Sequence, residues 1–268
     1  MKVMSVVGAR QQFVKFAPVA AALARTEDLE HGIVHTGQHY DAIMSADFFD
    51  TRHIPSTNVK LGVGSGSHGS QTGSILRELE PVLSTVQPDW TLVYGDTNST
   101  LAAALAADKL HYPVAHLEAG LRSFNQTMPE EHNRLLTDHA ADLSLAPTQF
   151  AMGHLAREGL TDRAVLVGDV MTDVCFRVRD RVAQEPVRLP DSFDTSSPFV
   201  IATLHRASNT DDADRLSDIV TALRRIDVPV ILTAHPRLVA KARSFSIDLT
   251  GGALHTCPPL AYPVWFMR

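Results

Sequence analysis

The stretch LVYGDTNSTLAAALAA, residues 92–107, decides the fold. It opens on three apolar residues, Leu92, Val93 and Tyr94, breaks at Gly95, and passes through Asp96 and a polar cluster into an alanine-rich run. A short apolar run ended by glycine reads as a buried parallel strand, and alanine is the strongest helix former. A strand feeding directly into a helix is the first half of a βαβ unit. Asp96 stands at the junction. It either caps the helix that begins near Asn98 or presents a carboxylate at the mouth of an α/β sheet.

The alternation continues in both directions. KVMSVV (2–7) reads as a strand, followed by a helix to about Thr26 in which Phe13, Ala17, Ala20 and Ala24 share a face and Pro18 predicts a kink. Residues 32–37, 91–95, 113–117, 142–146 and 164–168 read as further strands, and 74–83 as a helix. Between Asp173 and Pro198 the chain turns charged, then rich in Pro and Ser, which predicts a crossing helix and a linker. Afterwards 199–204 and 229–234 read as strands around a helix at 214–226. The expectation is two α/β domains with right-handed crossovers, residues 1–172 and 173–268. The second has roughly 70 residues after the linker, short for a doubly wound domain, where about 100 is usual.

Composition narrows the function classes. The chain has 268 residues, 44% hydrophobic and 20% charged, as expected of a soluble globular protein. A net charge of −6 argues against nucleic-acid binding. Cys175 and Cys257 form neither a metal-ligand spacing nor a disulfide framework. The N-terminus lacks the apolar core of a signal peptide, and no run approaches the ~18 apolar residues of a membrane helix. A cytoplasmic protein without membrane partners is expected. Two motifs lead elsewhere. GSGSHG (64–69) fits a dinucleotide fingerprint, but its acid, Asp89, precedes a strand rather than ending one. EEHNRLLTDH (130–139) lacks the zinc spacing HExxH and reads as a charged helix face.

Ligands of open parallel sheets bind outside the carboxyl ends of the strands. Just beyond the expected strands lie Arg10 and Lys15, Gln38 and His39, Asp96, Glu118, His205 and Arg206, and His235 and Arg237. Each has a plainer reading: Glu118 paired with Arg122, either histidine packed in a core, Arg10 and Lys15 solvated. Six such groups at equivalent positions favour a site.

On these residues the chain resembles the UDP-N-acetylglucosamine 2-epimerase family of non-hydrolysing type. The matching segments are GARQQFVKFAPV (8–19), HTGQHYD (35–41), GDTNSTLAAALAA (95–107), HLEAGLRS (116–123), MPEEHNR (128–134), APT (146–148), VGDVMTD (167–173), LHRASNTDD (204–212) and AHPR (234–237). The resemblance implies a GT-B-like α/β architecture: two Rossmann-like doubly wound parallel-sheet domains facing a cleft, the second incomplete because the family's UDP-binding loop lies beyond Arg268. It implies a UDP-sugar substrate, no cofactor, no metal, a homodimer in the full-length enzyme, and a place in polysaccharide biosynthesis. By position, the acid/base group falls on Asp96, Glu118, Glu130 and His205, and substrate binding on Arg10, Lys15, Arg206 and His235. Gln38, His39 and Gln71, with His235 near them, correspond to a regulatory nucleotide-sugar site. The implied reaction is epimerisation at C2 of UDP-N-acetylglucosamine to UDP-N-acetylmannosamine, by elimination of UDP to 2-acetamidoglucal and re-addition. A hydrolysing epimerase, a GT-B glycosyltransferase and an inactive fragment are the alternatives. The chain departs from the family at Gln11, where proline is usual, at Ser208, where glutamate is usual, and in its length. These 268 residues alone are expected to bind UDP weakly and not to epimerise.

Overall fold

The computed structural model describes residues 1–37, 59–184 and 197–260. They divide into two compact units, Met1–Arg177 and Val178–Arg268. In the first, seven parallel strands form one sheet: β1 (Lys2–Val7), β2 (Glu30–His35), β3 (Val59–Lys60), β4 (Trp90–Tyr94), β5 (Val114–Leu117), β6 (Leu143–Ala146) and β7 (Ala164–Leu166). Their order, β3-β2-β1-β4-β5-β6-β7, reverses direction between β1 and β4. That reversal is the switch point of a doubly wound sheet, where the connections diverge and leave a crevice.

Alternation along each strand builds the two layers. Val3, Val7, Leu92, Tyr94, Ala115 and Leu117 face α1 (Arg10–Leu23), packing on Phe16 and Ala20. Met4, Val6, Val93 and Val114 face α2 (His68–Val86) and α3 (Asn98–Lys109), packing on Leu79, Leu83 and the alanines of α3. Register runs Val34–Val6–Val93–His116–Ser144 across neighbouring strands, so one row passes from apolar to polar as it nears β6. α3 is buried on nearly every side, with Ala102, Ala103, Ala104, Ala106 and Ala107 all inaccessible or almost so. Its small side chains let it lie flat between the sheet, α2 and α4 (Pro129–Ala140). Pro18 is accommodated inside a single helix rather than splitting it.

α5 (Gln149–Arg157) follows β6, and α6 (Val170–Gln184) carries the chain past the division between the units, a few residues beyond the expected 172/173 boundary. The second unit has three parallel strands, β8 (Val200–Thr203), β9 (Val230–Thr233) and β10 (Leu254–Cys257), in the order β10-β9-β8. A short α7 (Ala207–Thr210), then α8 (Ala213–Arg224) and α9 (Pro236–Ser244), connect them. Leu216, Val220, Val230, Leu232, Leu238 and Leu254 make its core. The sequence reading foresaw β8, α8 and β9. It missed β10, where Leu254 and Cys257 are buried but His255 and Thr256 break the apolar run.

Candidate active site

The question posed by Asp96 has a definite answer. Thr97, not Asp96, caps α3, its hydroxyl accepting from the Thr100 amide. The Asp96 carboxylate instead receives Nη1 of Arg134 on α4 at 2.5 Å, and a quarter of the side chain stays exposed. It is an acid on a rigid turn, ion-paired on one side and open on the other.

Gly95 sets that turn. Its φ is +64°, a region glycine enters without steric cost. A Cβ there would stand 3.0 Å from Lys15 Nζ and 3.5 Å from Glu118 Oε2. Lys15 and Glu118 form an ion pair, both largely buried. The plainer readings of these two residues are thereby corrected: Lys15 is not a solvated charge, and Glu118 does not pair with Arg122. Arg122 binds Glu158 through Nε and Nη2 at 2.8 and 2.6 Å, and Asp138 through Nη1 at 2.7 Å. Glu118 itself has φ +69°. A bulky residue in the left-handed region costs on the order of 1–3 kcal/mol, and such positions cluster at functional sites.

The two adjacent glutamates of α4 have opposite fates. Glu131 is buried, taking the Ser123 and Phe124 amides at 2.9 Å each, the Ser123 hydroxyl at 2.8 Å and Arg134 Nη2 at 2.6 Å. Burial opposes its charge, but these donors outweigh it and hold the carboxyl down at about 2. Glu130 is half-buried and makes no hydrogen bond or ion pair among the described residues. The side chain of the first glutamate has no partner among the described residues; the second pins the loop that follows β5.

The reading of 130–139 as a charged helix face is overturned in its direction: Glu131, Asn133, Thr137 and Asp138 point inward. Asn133 donates to the Asp96 carbonyl at 2.9 Å and to Asn98 Oδ1 at 3.2 Å. Asn98 in turn donates to Gln71 Oε1 at 2.8 Å, and Gln71 to the Gly64 carbonyl at 3.0 Å. Gln71 is thus tied by buried amides to the Asp96 turn. Gly64 lies between the two-residue edge strand β3 and α2, and Asp89 precedes β4 instead of ending a strand, so GSGSHG does not meet the dinucleotide fingerprint. Gln12, unnoticed in the sequence, is fully buried. It accepts from the Gly8 and Ala9 amides at 2.8 and 2.9 Å and donates to the Tyr94 carbonyl at 2.8 Å and the Thr100 hydroxyl at 3.0 Å. With every donor and acceptor used, it fastens the end of β1 to the end of β4.

Arg10 begins α1, its side chain outside the described set, and Gln38 and His39 lie outside the described residues. In the second unit His205 and Arg206 are exposed just after β8. His235 caps α9, its Nδ1 accepting from the Arg237 amide at 3.3 Å. Among the described residues no group of His, Cys, Asp and Glu is arranged to hold a metal ion, and no helix is long and apolar enough to cross a membrane.

A doubly wound sheet with acids, a lysine and an arginine gathered at its switch-point edge, followed by a second Rossmann-like unit, defines the GT-B-like class of α/β proteins. A sequence profile of the UDP-N-acetylglucosamine 2-epimerase family matches residues 21–267, and the chain belongs to that family. It is 49% identical, over 88% of its length and 67% of the relative's, to a UDP-2,3-diacetamido-2,3-dideoxy-D-glucuronate 2-epimerase of Pseudomonas aeruginosa. It is 38% identical, over 92% of its length and 69% of the relative's, to a UDP-N-acetylglucosamine 2-epimerase of Methanocaldococcus jannaschii. A crystal structure of the Methanocaldococcus jannaschii enzyme in complex with UDP-GlcNAc and UDP matches with a TM-score of 0.88 at 37% identity, covering 99% of this chain and 75% of that one. The chain spans about two thirds of the length of the curated relatives it matches, 67% and 69% for these two.

Proposed function

We propose that this chain carries acid/base machinery for epimerisation at C2 of a UDP-2-acetamido sugar, interconverting UDP-N-acetylglucosamine and UDP-N-acetylmannosamine. The C2 proton is not acidic, so plain deprotonation is too costly. Removing it while UDP leaves C1 gives 2-acetamidoglucal, and re-addition of UDP with protonation on the opposite face completes the inversion. This needs two positioned acid/base groups and cations for the leaving diphosphate. The carrying observation, on top of family membership, is the shared switch-point edge of Asp96, Glu118 and Lys15. Asp96 and Glu130 are the groups with an open side, Glu118 is held ready by Lys15, and the family pattern assigns His205, in the second unit, an acid/base role. Arg10, Arg206 and His235 are assigned to the substrate, and Gln38, His39 and Gln71 to a regulatory nucleotide-sugar site. The full-length enzyme is assigned as a cytoplasmic homodimer serving polysaccharide biosynthesis.

The test is incubation with UDP-N-acetylglucosamine in heavy water. Deuterium at C2 together with UDP-N-acetylmannosamine supports the reading. Free N-acetylmannosamine points to a hydrolysing epimerase, and no C2 exchange to a transferase or an inactive fragment. The assay is run on these 268 residues and on the chain extended by the part of a curated relative that it does not match. Exchange in the extended form alone fits the expected inactivity of the shorter one.

The 49% relative carries a second reading, a UDP-2,3-diacetamido-2,3-dideoxy-D-glucuronate substrate. Both sugars share the UDP leaving group and the C2 acetamide, so the same chemistry serves either. Comparing kcat/KM for the two in one preparation decides between them.

A further inference from the structure

A fully buried polar cluster of the first unit sits behind the proposed catalytic edge. His116 is on β5 with its side chain entirely buried. Its Nε2 meets the Gly95 carbonyl at 2.8 Å, and its Nδ1 meets Asp138 Oδ1 at 2.6 Å. A carbonyl only accepts, so Nε2 must carry a hydrogen, and one further proton lies between Nδ1 and Asp138. The other oxygen of Asp138 accepts the Gly120 amide at 2.9 Å and Arg122 Nη1 at 2.7 Å. Arg122 is held from behind by Glu158. One buried carboxylate from α4 therefore fixes two backbone turns at once. Through the imidazole it fixes Gly95, which precedes Asp96. Directly it fixes Gly120, two residues after Glu118.

Both turns need holding. Gly95 and Gly120 have φ of +64° and +79°, and Glu118 between them has +69°. Gly120 is also wedged against α5: a Cβ there would lie 2.5 Å from the Ala151 carbonyl oxygen. Neither His116 nor Asp138 reaches the open edge, so neither can touch a substrate.

We infer that His116 and Asp138 form a positioning pair that locks the Asp96 and Glu118 turns in a common frame, setting the direction of both carboxylates. The pair acts through the Gly95 carbonyl and the Gly120 amide, not on the sugar. This rests on the proposed epimerase reading for its kinetic consequence and on geometry alone for its structural one.

The test uses the 268-residue protein. Nitrogen-15 NMR of the imidazole should show a slowly exchanging Nε2–H on His116, and His116→Gln and Asp138→Asn should move the Asp96 and Gly120 amide signals while circular dichroism stays native. An unprotonated Nε2, or amide signals that stay put in both variants, overturns the inference whether or not the protein is an epimerase. Should His116→Gln not fold, Asp138→Asn, which keeps the shape of the carboxyl, carries the same readout. In the form that exchanges the C2 proton, His116→Gln should lower kcat at least tenfold and leave KM within threefold. A lowered melting temperature with kcat within twofold of the parent would reduce the pair to a packing role and overturn it. Absence of C2 exchange in the parent would remove the epimerase reading and leave the NMR result to judge the pair.

Discussion

The strand-end edges of the two units differ in how their polar groups are held. In the first, Asp96, Glu118, Glu131 and Asp138 each have a cationic or backbone partner, and most are buried. In the second, His205 and Arg206 are exposed, and the pairs that Asp211 makes with Arg237 and Lys241 lie at the surface. The first edge holds its acids with buried partners; the second pairs its charges only at the surface. A group that must meet a reacting carbon within fractions of an ångström belongs on the first kind of edge.

The contrast can be broken at several points, taken from the largest effect down. Glu131→Gln should cost the first unit about 3 kcal/mol, since a carboxyl held at about 2 rather than 4.5 stabilises the fold by that order. Chemical denaturation at pH 7 checks it, and an unchanged midpoint would mean that loop 121–128 is not anchored there. The sign predicts a pH course as well. Because the folded form holds this proton less tightly, its stabilisation is complete above about 4.5 and is lost as pH falls toward about 2.

Asp96→Asn should lower turnover by about 10² or more in the form that is active, with melting temperature close to the parent's, because a positioned acid/base is worth 10²–10⁴. Near-normal turnover would transfer the role to Glu130 or Glu118.

A smaller effect concerns His31 and His35, whose protonation is disfavoured by burial, aided at His35 by Lys60. Their folded pKa values lie below 6.5, so near pH 6 the unfolded chain binds more protons. Stability contributed by these rings is present above about 6.5 and declines as pH drops below it. The guanidinium midpoint should be lower at pH 5.5 than at pH 7.5, and replacing both rings with glutamine should flatten the difference. Least of all, Arg237→Ala in the second unit should leave stability unchanged within error, since exposed ion pairs contribute little. A clear loss there would mean that the second edge is as organised as the first.

Much of this was legible in the sequence because buried parallel strands announce themselves as apolar runs. β1, β4, β5 and β8 fall within a residue or two of their expected limits. β3 did not, since Val59 and Lys60 make a strand only by pairing with β2. Asp96 and Glu118 were legible as acids at strand ends, and their family pattern singled them out. Their partners were not. Arg134, Asn133 and Asp138 sit on a helix whose polar spacing looks like a solvated face, and only the tertiary fold turns that face inward. Gln12 gave no signal, since it stands in the polar run Arg10-Gln11-Gln12 and looks no different from its neighbours.

Helix α3 fills its slot with methyl groups and is exposed only at Asp108 and Lys109, at its far end from the Asp96 turn. A larger residue at Ala102, Ala103 or Ala104 would have to push the helix away from its neighbours and carry the Asp96 turn with it. Evolution and protein engineers alike would then find new sugar preferences by editing the rim of this scaffold, while the alanine spine behind it tolerates almost no drift.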